Sequence, residues 1–185
     1  AHKGNLNIKK VIIGKDVKTI GEEAFSGCFY IESIVVEPEN SRFADYKSNL
    51  IVEKKTGVLL VGCRTTVIPE FVTKIGQYAF CRQAFLKKLT IPMSVKRIDA
   101  YAFDGCDELE ELVIQGGMVP VGEHALRRCD KLKTIHLHKM KKEAIMGKLN
   151  PNKLYVNLGE VILKFSYRDF IYFIYNLGMD YYDGL

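Results

Sequence analysis

The chain has 185 residues, 48% hydrophobic and 26% charged, and its 27 Lys and Arg against 22 Asp and Glu leave a formal net charge of +5. That length suits one compact domain or one short repeat array. The modest charge excess is interleaved in sign, as in "RRCDKLKT", which argues against the basic stripe of a nucleic-acid binder, and no apolar run approaches the roughly 20 residues of a membrane span.

In chain order, the first apolar positions are Ile8, Val11 and Ile13, which fall 23 residues before Ile31, Ile34 and Val36. The chain is therefore expected to begin inside a truncated repeat, with a first strand whose edge calls for more protein upstream. The first full unit, "VKTIGEEAFSGCFYIESIVVE" from Val17, sets a frame: an apolar residue five places before Phe25, then apolar residues six, nine and eleven places after it. The same frame recurs around Ala79-Phe80, Ala102-Phe103 and Ala125-Leu126, where the aromatic is replaced. Within each unit the last two apolar positions alternate, as in Leu89, Thr90, Ile91, which is the pattern of a strand buried on one face. One such strand with one short turn cannot bury that face alone, so the units must stack. The expectation is a leucine-rich-repeat solenoid of α/β type, each repeat of about 23 residues contributing one strand and a short helical turn.

The period breaks once. Ile20 and Ile75 lie 55 residues apart, nine more than two periods, and the excess includes "SNLIVEKKTGVLLVG". Two apolar runs around Lys55-Thr56-Gly57 predict a β-hairpin insertion near 49–61, projecting from one side of the array where a partner could meet it. "VIPEFVTKIG" from Val67 mirrors "TIPMSVKRID" from Thr90, so the frame resumes there with Ile68 in the place of Ile91.

Towards the C-terminus, "MKKEAIMGKLNPNKLYVNL" predicts a helical stretch ending near Asn150-Pro151 and then a strand through Leu154, Val156 and Leu158. "SYRDFIYFIYNLG" opens with Ser166 and Asp169 in capping-box spacing and places Phe170, Ile174 and Leu177 on one helical face before Gly178. The division expected is a solenoid over 1–158 and a C-terminal cap over 159–185. The alternative for the aromatic run is self-association or a partner interface.

No residues suggest a reaction. Cys28, Cys106 and Cys129 share one offset, three places after the Phe or Leu position, and Cys63 and Cys81 make five. Equal positions in stacked units point in parallel, so buried free thiols are expected rather than a disulfide, and with no Cys-x-x-Cys pair a zinc site is not indicated. His136 and His138 alternate on one strand, with His124 in the preceding turn. Two imidazoles without a third ligand make an exposed polar pair the expectation, and nothing supplies the nucleophile and acid of a hydrolase. No enzyme activity and no cofactor are expected. Lys139, Lys141, Lys142, Lys148 and Lys153 form the one regional charge bias, a solubilising loop or a patch for acidic glycans or proteins.

The stretches "VKTIGEEAFSGC", "VTKIGQYAF" and "VKRIDAYAFDGCDELEELVI", with "LTIP" and the interrupting "GVLLVG", resemble the BspA-like leucine-rich-repeat family. The resemblance covers residues 8–137 well and the tail poorly. It departs at Arg82-Gln83, which replaces the Gly-Cys step, and at Leu126. It implies a curved solenoid and a cell-surface or secreted protein that mediates adhesion or protein–protein interaction, with no catalytic residue in the motif. The expected function is a non-enzymatic binding module for a protein or glycan on a host or neighbouring cell; the alternative is a spacer segment of a larger surface protein. Outward strand positions are the expected interaction surface: Ile12, Val35, Lys88, Thr90, Glu111, Val113, His136 and His138.

Overall fold

A computed structural model of the chain describes residues 3–116, 119–137, 155–157 and 162–164, the last two segments and Leu137 in backbone only. The elements are β1 (Lys10–Ile13), β2 (Ser33–Val36), β3 (Phe43–Ala44), β4 (Leu50–Glu53), β5 (Val58–Gly62), β6 (Lys74–Ile75), β7 (Lys88–Ile91), β8 (Arg97–Ile98), β9 (Glu111–Ile114), β10 (Thr134–Leu137), β11 (Tyr155–Asn157) and β12 (Ile162–Lys164). Every regular element among the described residues is a strand.

The 23-residue register is kept throughout the regular coils. β7, β9 and β10 pair in parallel with Leu89 opposite Leu112 and Leu112 opposite Ile135. Leu89, Leu112 and Ile135 face inward and are buried, whereas Thr90, Val113 and His136 between them are half-buried on the outer side. β11 continues the ladder in parallel with β10, and β12 turns back antiparallel to β11. A second, shorter column, in which β6 pairs with β8 and Ile98 bridges Val121, runs parallel to the chain's repeat on another side of the coil.

The expected helical turn is corrected to a chain of β-turns, so the fold is a β-solenoid and not an α/β repeat. Each segment around the Phe position holds two residues in the left-handed region at fixed offsets. Two places before it stand Glu23, Tyr78, Tyr101 and His124, with φ of 54, 58, 56 and 55°, and two places after it stand Gly27, Arg82, Gly105 and Arg128, with φ of 75, 56, 73 and 57°. A right-handed helix cannot run through left-handed residues. The N–H groups a helix would consume internally are instead divided between two uses. Ala79, Cys81 and Gln83 donate three residues back to Gly76, Tyr78 and Phe80, while Phe80 and Arg82 donate to Ala102 and Asp104 of the next coil, both at 2.7 Å. Phe103 and Gly105 repeat this towards Ala125 and Arg127 at 2.8 Å. The turn side is thus hydrogen-bonded along the solenoid axis like the strand sides. Phe80 and Phe103, both fully buried, stack with centroids 5.2 Å apart and planes 14° from parallel.

The insertion does not project. β3, β4 and β5 form an antiparallel meander, and β5 then pairs in parallel with β6, so the meander is the first part of the short-strand sheet. Leu50, Val52 and Leu59 of the meander enter the larger core with Phe80 and Phe103, whereas Ile51 and Val61 enter a second core with Val11, Ile31, Ile34 and Phe43. A register shift between Ile51 and Val52 marks a β-bulge within this wall. Its turn is anchored: Gly57 takes φ 69°, and a Cβ there would lie 3.1 Å from Thr73 Oγ1 and 3.2 Å from Phe71 O. Beside it, Lys54 Nζ donates to Asn40 O at 2.6 Å and Thr56 Oγ1 to Glu53 Oε2 at 2.7 Å.

The insertion also divides the long-strand column into two sheets. β1 and β2 pair only with each other. The far edge of β2 is closed by side chains, with Ile34 N–H donating to Asn49 Oδ1 at 3.2 Å and Val36 N–H to Asp45 Oδ2 at 2.6 Å. Residues 140–150 and 166–178, where helices were expected, lie outside the described residues.

Candidate interaction surface

The alternation of β1 and β2 puts Ile12 and Val35 on the outer face at 59% and 37% exposure, in register as direct partners. On the second sheet Thr90, Val113 and His136 form the corresponding column. The eight expected surface positions are therefore split: two on the β1–β2 sheet, five on the β7–β9–β10 face, and His138 outside the described residues. Val67, at 70% exposure, lies beside the second group. It shares with Thr66, Lys88, Thr90, Pro92 and Gln115 the lining of a groove of about 480 Å³ next to β7, the edge strand of its sheet.

Ion pairs follow the repeat across this face. Glu111 Oε1 accepts Lys88 Nζ at 2.8 Å and sits 3.1 Å from His136 Nε2, so one carboxylate joins three strands. One row back, Lys131 and Lys133 reach Glu108 and Glu110 of the previous coil at 2.5 and 3.4 Å. The hydrogen bond from Lys131 holds the Glu108 carboxyl below its ordinary value. These are exposed pairs, screened by solvent, and they add little to stability.

Sequence reasoning missed a deeper ion cluster of three residues. Asp104, one residue after Phe103, is 3% exposed and receives both Arg127 and Arg128. Each arginine uses two nitrogens: Arg127 at 3.0 and 2.8 Å, Arg128 at 3.2 and 2.8 Å. Burial pushes the Asp104 carboxyl up, but the hydrogen bonds and charge of the two arginines outweigh it and leave the group below its ordinary value. The Arg127 guanidinium also lies 5.2 Å from the centre of the Tyr101 ring. The only signal was the 23-residue offset between Asp104 and Arg127, which the core frame does not include. Two exposed aromatic pairs were also missed, Tyr46 with Phe71 at 4.2 Å and Tyr30 with Phe85 at 5.3 Å.

His124 is engaged on the turn side, with Glu123 Oε1 at 2.7 Å and the Tyr101 ring at 5.2 Å, and His136 is engaged by Glu111. Among the described residues no group of three His, Cys, Asp or Glu could hold a metal ion. All five cysteines are free thiols; Cys28, Cys63, Cys81 and Cys106 are buried and Cys129 is half-buried. Burial raises Cys106 well above its ordinary value and pushes Cys129 up to about 12, so neither is a ready nucleophile. The basic 139–153 segment and the aromatic 170–175 run lie outside the described residues.

Parallel in-register coils of 23 residues, with inward Leu and Ile, define a leucine-rich-repeat solenoid. The BspA-type leucine-rich-repeat model matches residues 1–48 and 62–149 in six copies, and the chain belongs to that family. The interval between the two matched stretches falls on the β4–β5 hairpin. No match is found among curated proteins. A leucine-rich-repeat protein from Eubacterium ventriosum is similar in structure at 18% identity and TM-score 0.50, covering 71% of this chain and 42% of that one. The pneumococcal vaccine antigen PcpA matches at 17% identity and TM-score 0.46, covering 81% of this chain and 51% of its own. A leucine-rich cell surface protein from Faecalibacterium prausnitzii matches at 20% identity and TM-score 0.37, covering 74% and 49%. The chain thus spans about half the length of the solved structures it matches.

Proposed function

We propose that this chain is a non-enzymatic binding module of a secreted or surface-displayed protein, recognising a protein or glycan on a host or neighbouring cell through its outward strand face. The observation that carries the reading is apolar exposure on that face without a packing duty: Ile12 at 59%, Val35 at 37% and Val67 at 70%, the last beside the groove at Thr90. Inward positions are consumed by the two cores, whereas these side chains leave apolar area facing water. A partner would draw on apolar contact at Ile12, Val35, Thr90 and Val113, with Lys88, Glu111 and His136 as a polar rim.

The experiment is a solid-phase assay against purified extracellular-matrix proteins and sulfated glycans. A double substitution, Thr90→Glu with Val113→Lys, should abolish capture while shifting stability by less than about 1 kcal/mol, because a charge forced into a desolvated contact is costly and one left half-exposed is not. Equal capture by the double variant would overturn the assignment of this face. Absence of capture by the unmutated chain across the panel would favour the spacer reading.

A further inference from the structure

The interruption of the long-strand column leaves two strand edges, and side chains close only one of them. In β2 the N–H groups of Ser33 and Glu37 donate to the Lys9 and Ile13 carbonyls of the first coil, so those of Ile34 and Val36 point the other way. Both are met, by Asn49 Oδ1 at 3.2 Å and Asp45 Oδ2 at 2.6 Å. Across the interruption, the Lys87 and Ile91 carbonyls accept the N–H groups of Glu111 and Gln115 at 3.2 and 3.0 Å. Backbone direction alternates along a strand, so Lys88 and Thr90 turn their N–H and C=O groups away from β9. Among the described residues none of these four groups has a hydrogen-bond partner.

The repeat frame calls for a strand beside them. Ile68 stands in the place of Ile91 and Val67 in that of Thr90, yet residues 63–69 form no ladder with β7. The insertion engages their backbone instead. Val67 N–H donates to Ser48 O at 3.2 Å and Thr66 N–H to Cys63 O at 3.1 Å, and Thr66 Oγ1 donates to the Asn49 carbonyl. Ile68 still reaches the core at 7% exposure. The groove of about 480 Å³ beside β7 is lined by both segments, Thr66 to Ile68 on one side and Lys88 to Thr90 on the other.

The chemistry of this edge selects polypeptide backbone. A lysine ordinarily guards such an edge, but the Lys88 ammonium is drawn to Glu111 of β9 at 2.8 Å. Pro92 has no N–H and its carbonyl accepts Val95 N–H at 3.2 Å, so the open edge stops after Thr90. What remains is two donors and two acceptors at strand spacing, which an extended peptide matches and a glycan does not. Val67, 70% exposed, adds an apolar contact. Glu70 also lines the groove, exposed and without an ion pair among the described residues, and adds a negative charge.

We propose that the β7 edge takes a short extended segment of a partner protein as an added strand, bonded to Lys88 and Thr90 through its backbone, with an apolar side chain against Val67 and a basic one at Glu70. This rests on the reading of the chain as a binding module and narrows its partner from protein or glycan to protein.

The test uses the ¹⁵N-labelled chain and blocked hexapeptides of alternating Val and Thr, in which one Lys is moved through the sequence. In the free chain the Lys88 and Thr90 amides should exchange with solvent distinctly faster than those of Ile34 and Val36, whose edge is capped. Saturable shifts of the Lys88 and Thr90 amides, with slowed exchange, are expected with at least one peptide. Its fully N-methylated analogue keeps the side chains but has no N–H to donate, and should bind at least about tenfold more weakly. Thr90→Pro removes one edge donor where an edge strand tolerates proline and should weaken binding to a similar degree. Absence of saturation across the peptides, equal binding by the N-methylated analogue, or Lys88 and Thr90 amides as protected in the free chain as Ile34 and Val36 would overturn the proposal. Peptide binding by a chain that captures nothing in the matrix and glycan assay would support the edge and sink the outer face; capture there without peptide binding would do the reverse.

Discussion

Coils 76–137 and the β3–β5 meander with its insertion solve the same problem with opposite means. In the regular coils a single 23-residue frame decides every inward side chain, and the strand and turn sides are bonded to the next coil at equal intervals. In the insertion, alternate residues serve different cores: Leu50 and Val52 one, Ile51 the other. A solenoid can therefore absorb an aperiodic stretch, provided that stretch is apolar on both faces and supplies its own edge bonds, as Asn49 and Asp45 do for β2. What it gives up is continuity of the outer face, which becomes two sheets.

The largest expected effect tests whether the two regions bear equal weight. Phe103→Ala should destabilise the chain by about 3–5 kcal/mol, because coils on both sides prevent collapse of the void. Leu59→Ala in the meander should cost about 2–5 kcal/mol by the same reasoning, and Phe25→Ala, at a half-buried ring, distinctly less than Phe103→Ala. Denaturant melts decide it: a loss below about 1 kcal/mol at Leu59 would return the hairpin to a peripheral appendage.

A middle-sized effect concerns acid. The folded Asp104 carboxyl lies below its ordinary 3.8, so its contribution is present above that value and is lost as pH falls through the lower folded pKa. Asp104→Asn should cost about 1–3 kcal/mol near neutral pH, the range for a lost hydrogen bond to a charged group, and should flatten the acid limb of the stability curve below about pH 4. An unaltered acid limb, followed by thermal melts from neutral to acidic pH, would show that the two arginines are satisfied elsewhere.

The smallest effect is a sign. Arg82 stands at φ 56°, where a non-glycine residue is strained by about 1–2 kcal/mol. Arg82→Gly should therefore be neutral or stabilising by up to about 1 kcal/mol after the entropy of glycine is counted. In a helical turn the same change would cost about 1 kcal/mol.

That sign is also where sequence reasoning went astray. The frame from Ile75 to Ile135 was legible because burial on one strand face imposes alternation and stacking imposes the period. Conformation at Tyr78, Tyr101 and Arg82 was not, because left-handed turns and a helical turn bring the Ala-Phe pair to the same inward position, and only Gly27 and Gly105 among the left-handed residues after the Phe position carry a glycine signal. The hairpin between Leu50 and Val61 was legible as a hairpin, but which core each side chain enters depends on a partner, β6, that local alternation does not name. Of the candidate surface, the positions were readable from alternation, whereas its division and the Glu111 bridge depend on which strands pair.

The row of thiols has a kinetic consequence. Because Cys106 is fully buried and donates to the Phe80 carbonyl of the coil before it, an alkylating reagent reaches it only when neighbouring coils part. Its labelling rate, set against that of the half-buried Cys129, then becomes a clock for unzipping at that coil boundary.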